Sequence, residues 1–174
     1  MDNMRLCLEL TNSEKEEDVI RILRSVGFWD SPSSWHYFGS LADNFSTIGN
    51  QQSKPEAALV EKIINSVDAV LMRECLRRST DPEGPNAPKN VIEALESYFK
   101  IRNGRLSNLD AKSRALLAEN ICLVATGAKT NPCYSIIDKG EGQTPDRMPT
   151  TLLGLFKSIK ARIPFVQGKV KKGR

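Results

Sequence analysis

The stretch LVEKIINSVDAVLM, Leu59 to Met72, carries two patterns at once. Val60, Ile63, Ile64, Val67, Val70 and Leu71 recur at helical spacing and predict the apolar side of an α-helix. Glu61, Asn65 and Asp68 fall on the other side, within about 60° of one another at roughly 100° per residue. A surface helix ordinarily mixes Lys and Arg into its polar face. Here the tightest part of that face holds two carboxylates and an amide without a cation, followed by Ala69 and Met72. An asparagine carbonyl is a hard, neutral oxygen ligand suited to Mg²⁺. A glutamate one turn earlier can take a proton from an attacking water, and the next acid can hold metal-bound water or orient its neighbours. The bland alternative is a solvated face.

Outward from this stretch, Pro55 suits a first helical position, so the helix is expected from Pro55 to about Arg78. STDPEGPNAPKN, Ser79 to Asn90, has loop composition. VIEALESYF and DAKSRALLAEN read as two further helices. ICLVATG and CYSIID, separated by AKTNP, read as two strands of a hairpin. Towards the N-terminus, RLCLEL alternates Leu6, Leu8 and Leu10, which predicts a strand. A helix follows it, opened by a Ser13/Glu16 capping box, striped by Val19, Ile22, Leu23 and Val26, and ended by Gly27. Residues 28–54 form an aromatic-rich loop ending in the polar run STIGNQQS.

The hairpin leads into YSIIDKGEGQTPD, Tyr134 to Asp146: an apolar run, an acid, then two glycines spaced by one residue. Such a segment makes either a tight turn or a place where a ligand lies against bare backbone while the carboxylate accepts from it. Taken in order, E-x-x-x-N-x-x-D-A on a helix and D-x-G-x-G at a strand end resemble the GHKL ATPase superfamily. That group includes DNA gyrase, heat-shock chaperones, histidine kinases and MutL-type mismatch-repair ATPases. The resemblance covers roughly residues 55–168 and implies an α/β fold, a two-layer sandwich of helices on a mixed β-sheet (the Bergerat-type ATP-binding fold). It implies ATP and Mg²⁺ as ligands. Glu61 matches the water-activating glutamate and Asn65 the Mg²⁺-ligating asparagine, with Asp68 and Ala69 completing that motif. Asp138 matches the aspartate that accepts from the adenine amino group, while Gly140 and Gly142 let base and sugar lie close to the main chain. Glu61 favours a hydrolysing member over a histidine kinase, and His36 sits in an aromatic loop rather than on a phosphoacceptor helix. TPDRMPTTLLGLFKSIKARIPFVQGK is similar to the segment before the family's nucleotide lid: Thr150 is expected to cap a short helix, TLLGLF, while Ser158 and Lys160 match a hydroxyl and a cation near the pocket only loosely, with surface positions their default.

The resemblance breaks at the end, where IPFVQGKVKKGR offers only Gly168 and Gly173 and lacks the glycine-rich lid. The expectation is a fold incomplete at its C-terminus: a fragment, a truncation, or a domain completed by a homodimer partner or another domain. Without a lid to exclude water and position the γ-phosphate, the chain alone is expected to be inactive. Its alternatives are an inactive remnant or regulatory fragment and a nucleic-acid-binding module. The organisation read from sequence is a leader over 1–54, a partial ATP-binding domain over 55–168 and a basic tail over 169–174.

Bulk properties bound these readings. The 174 residues suffice for a core, and 40% hydrophobic and 26% charged content are ordinary for a globular chain. The net charge of +4 conceals seven Lys and Arg without an acid over 157–174, so residues 1–156 carry −3. A basic end of this kind contacts phosphate or nucleic acid, or is simply solvated. It lacks the interleaved aromatics of single-strand platforms. No apolar run approaches the roughly 20 residues of a membrane span. The N-terminus is too acidic for a secretory signal, so the expected location is cytoplasmic. Cys7, Cys75, Cys122 and Cys133 lack metal-ligand spacing and read as buried free thiols. His36, within WHYF, is expected to be a packed structural histidine.

Overall fold

A computed structural model describes residues 2–37, 54–148, 151 and 162–166. The chain divides into two compact units, Met1–Ser46 and Thr47–Arg174.

In the first unit, α1 (Asn3–Thr11) and α2 (Glu16–Ser25) precede a 3₁₀ turn over Pro32–Ser34. The expected strand over residues 5–10 is therefore a helix. Leu6 and Leu10, which alternate with Leu8, are also one helical turn apart, and both are half-buried while Leu8 is exposed. Local chemistry decides between the two periods. Asp2 Oδ1 accepts from the Arg5 amide at 2.8 Å, and Arg5 pairs with Glu9 at 3.0 Å. The predicted capping box also fails, because Ser13 Oγ donates back to the Glu9 carbonyl at 2.9 Å. Helix α2 starts instead from Lys15, with Glu16, Glu17 and Asp18 placing negative charge in its first turn. It ends as expected at Gly27, whose φ of +75° lets Phe28 N–H reach the Leu23 carbonyl at 2.9 Å.

His36 is exposed, contrary to expectation. Trp29 and Trp35 pack edge to face at 5.3 Å, and Trp35 Nε1 donates to the Trp29 carbonyl, so this aromatic contact forms without the imidazole. All four cysteines are free, but only Cys75 is buried. Cys122 and Cys133 lie on a hairpin with few covered positions, which is why the expectation of buried thiols fails there.

The second unit is a mixed α/β assembly built on α3 (Pro55–Arg77), with α4 (Val91–Phe99), α5 (Ala111–Ala118), β1 (Ile121–Ala128) and β2 (Asn131–Asp138). Pro55 starts α3 where its missing N–H has no helical partner to lose. Asn90 caps α4 by accepting from the Glu93 amide at 2.9 Å, and Glu93 Oε2 accepts from the Lys89 amide at 3.0 Å. Asp110 caps α5 through the Ser113 amide. Strands β1 and β2 pair antiparallel, Ile121 opposite Asp138 and Leu123 opposite Ile136. The final pair puts Asp138 at the open end of the hairpin, against α3.

Leu71, Cys75, Ala87, Ala94, Ile163, Phe165 and Val166 form the core, flanked by Val67, Met72, Tyr98 and Phe99. Phe165 is fully buried, a burial worth about 2 kcal/mol, and meets the Tyr98 ring edge to face at 6.2 Å. Arg78 lies over the Tyr98 ring, 4.7 Å from its centroid, and donates to Glu74 Oε2 at 2.7 Å. The anticipated apolar side of α3 is covered only along its C-terminal half. Val70 and Leu71 are buried, whereas Val60 is 54% exposed and Ile63 37%. The reason is placement: the core residues gather around Leu71 and Cys75, beyond the reach of the first turns. No helix among the described residues is long and apolar enough to cross a membrane.

Candidate functional site

Two small side chains and an arginine, aligned on α3, position the site. Ser66, Ala69 and Arg73 recur at i, i+3 and i+7, which stacks them along one edge of the helix. The chain leaving β2 lies on this line. Ser66 Oγ donates to Asp138 Oδ2 at 2.9 Å. Asp138 Oδ1 accepts from the Gly140 amide, also at 2.9 Å. The Glu141 amide donates to the Ala69 carbonyl at 3.2 Å, and Arg73 Nη1 donates to the Lys139 carbonyl.

This seating requires Gly140 and Ala69 to be small. A Cβ at Gly140 would lie 2.5 Å from Ala69 Cβ and 3.1 Å from the Ala69 carbonyl carbon, distances that cannot be relieved without moving the helix backbone. Gly142 differs in kind. It has φ of +71° and nothing within 4 Å of a built Cβ, so its glycine serves conformation and leaves open space beside the main chain.

The structure places the sequence-predicted residues as follows. Asp138 and Gly140 sit directly against α3, touching Ser66 and Ala69. Asn65, half-buried, adjoins Ser66 in the helix, and Glu61, exposed, lies one turn before Asn65. Asp68 is not on a solvated face, being 0% exposed. Asp138 is itself exposed, although both its oxygens accept a hydrogen bond. Each carboxylate oxygen has two lone-pair directions, so the group is oriented by the protein and retains acceptor capacity toward solvent.

No family model matches the chain, nor does any curated protein or solved structure.

Among the described residues, no group of three or more His, Cys, Asp and Glu side chains converges as a metal cage would. Besides Ser66 and Asp138, which bond to each other, the oxygen donors α3 offers here are one amide, Asn65, and one exposed carboxylate, Glu61. That set fits Mg²⁺, which keeps several waters and is held largely by substrate phosphate oxygens, and not an ion caged by protein.

Sequence reasoning missed Ser66, Arg73 and Asn120. Arg73 Nη2 donates to Asn120 Oδ1 at 3.0 Å and to Glu74 Oε1 at 2.8 Å. Glu74 is buried among Arg73, Arg77 and Arg78. Burial pushes its carboxyl up, but the hydrogen bonds and charges of Arg78 and Arg73 outweigh that and leave it below the ordinary value. The available signal was the Ser66–Ala69–Arg73 spacing, a small–small–arginine edge beside the more conspicuous carboxylates. Thr150, Ser158, Lys160 and the basic segment 169–174 lie outside the described residues.

Proposed function

We propose that the second unit is an ATP-binding domain of GHKL type, belonging to a two-layer sandwich of helices on a mixed sheet, with Mg²⁺-dependent hydrolysis in its complete form. The observation that carries this reading is the contact of the Asp138 carboxylate with Ser66, beside Asn65. It joins the adenine-reading candidate to the helix that bears the candidate metal ligand and the candidate base. Asp138 accepts from the adenine amino group through the lone pairs that Ser66 and Gly140 leave available. Gly142, with open space beside it, lets the nucleotide lie on the main chain.

Asn65 would hold Mg²⁺ by its carbonyl oxygen, and the ion supplies charge neutralisation at the phosphates. Glu61 takes the proton of a water whose oxygen bonds the γ-phosphorus as the bond to the ADP oxygen breaks. Asp68, fully buried, orients its surroundings without meeting solvent.

Binding without turnover is a second reading for this chain, and one observation favours it. Glu61 lies on the exposed early turns of α3, where Val60 and Ile63 also face solvent, and a base needs a fixed position to contribute. The test is titration with ATP labelled by N-methylanthraniloyl on the ribose, in the presence of Mg²⁺. Saturable binding displaced by ATP and abolished by Asp138→Asn, with the circular dichroism spectrum retained, is expected. Unchanged affinity in that variant overturns the assignment of Asp138.

A further inference from the structure

We infer that Arg73 is the positioning residue that locks the Asp138 turn onto α3 and so aims the Asp138 carboxylate. The guanidinium ties together three separate parts of the chain. It donates to the Lys139 carbonyl, immediately after Asp138, and to Asn120 Oδ1, immediately before β1. Its Nε and Nη2 both donate to Glu74 Oε1, at 3.1 and 2.8 Å, which fixes the group against its own helix. The Lys139 amide in turn donates to the Asn120 carbonyl at 2.8 Å, extending the hairpin ladder one step beyond the Ile121–Asp138 pair.

The consequence for Asp138 is geometric. Its carboxylate bonds to Ser66 on α3 and to the Gly140 amide in the turn. Both bonds hold one carboxylate orientation only while the turn keeps its height along α3. Arg73 sets that height, because a planar fork with several N–H groups can reach three acceptors at once and a lysine ammonium cannot do so with the same rigidity. The Arg73 side chain is 21% exposed and Glu74 11%, so the bonds to Glu74 and Asn120 are partly buried and anchor the guanidinium, while the bond to the Lys139 carbonyl is exposed. A surface ion pair would not hold a turn in this way.

The relevance to nucleotide rests on the proposed function above, but the clamp itself does not. Two measurements on the full chain separate them. Amide hydrogen exchange reads Lys139, Gly140 and Glu141, whose N–H groups donate to Asn120, Asp138 and Ala69. In Arg73→Met these three are expected to exchange at least about tenfold faster, while the α4 amides keep their protection. Arg73→Lys is expected to fall between the two. Wild-type rates at the three amides overturn the inference. If Arg73→Met unfolds the whole chain, Asn120→Ala, which removes one leg of the clamp, decides. Acceleration confined to the turn supports the inference; none, or an equal acceleration everywhere, overturns it.

The second measurement compares ATP with inosine triphosphate, which presents an oxygen where adenine presents the amino group. Arg73→Met is expected to erode the preference for ATP, whereas a merely structural loss would weaken both nucleotides alike. If the wild-type chain binds neither, the functional reading fails, and the exchange rates still decide whether Arg73 holds the turn.

Discussion

Ser66 and Asp138 are joined by a 2.9 Å hydrogen bond across 72 positions of sequence, the hydroxyl donating to Oδ2. The same carboxylate takes the Gly140 amide on Oδ1. An exposed acid bound on both oxygens has surrendered much of its rotational freedom before any ligand arrives. This preorganisation is what the proposed adenine-reading role of Asp138 requires.

Removing the hydroxyl is the direct test. Ser66→Ala is expected to destabilise the unit by about 1 kcal/mol and to weaken labelled-ATP binding by about tenfold. Urea unfolding and nucleotide titration read the two effects separately. Unaltered affinity would mean that Ser66 does not aim the acid.

Gly140→Ala should be costlier than Gly142→Ala. At Gly140 the new methyl meets Ala69 on both side chain and backbone, a clash expected to cost about 2 kcal/mol. At Gly142 only the positive φ opposes it, at about 1 kcal/mol. Adding Ala69→Gly to Gly140→Ala should recover part of the loss, and a double-mutant cycle by chemical denaturation measures the coupling. Simple additivity would show that the two residues do not meet.

Glu61→Ala and Asn65→Ala should separate by assay. In a preparation that turns over ATP, Glu61→Ala slows kcat by about 100-fold with little loss of binding, because it removes only proton transfer. Asn65→Ala weakens binding with Mg²⁺ present and has little effect in EDTA. Equal losses with and without the metal would remove Asn65 as its ligand.

The Glu74 cluster predicts a pH dependence. The folded-state carboxyl titrates below its ordinary value of 4.5, so the unfolded chain binds the proton more readily. The stabilisation is present above pH 4.5 and is lost as pH falls through the folded-state value. Glu74→Gln is expected to cost about 2 kcal/mol at pH 7, since three arginines lose their shared acceptor. Unfolding curves should show that penalty shrinking as pH falls below 4.5 and through the lowered folded-state value, where wild-type Glu74 itself becomes protonated. A pH-independent penalty would assign the loss to packing alone.

Where one local signal dominated, the sequence was sufficient. Pro55 marks a helix start that the backbone adopts, VIEALESYF is helical over its whole length, and the two apolar runs pair as strands, with only Lys129 and Thr130 of AKTNP left between them. Residues 5–10 misled because Leu6, Leu8 and Leu10 satisfy both periods, and only the Asp2 cap and the Arg5–Glu9 pair distinguish them. At the site, Asn65 and Asp138 were legible as positions on a helix and at a strand end. Ser66 and Arg73 were not, because their roles depend on partners, Asp138 and Lys139, that only folding brings near. Asp68 shows the same limit: helical phase put it on a polar face, and packing around α3 buried that position.

Ile163, Phe165 and Val166 close the core from far downstream of the helices they complete. Until the ribosome has added them, Leu71, Cys75 and Ala94 lack one wall of their enclosure and present an oily surface to the surroundings. Acquisition of order in this unit therefore waits for Val166 to be made, and a nascent chain halted before Ile163 would be a client for chaperones.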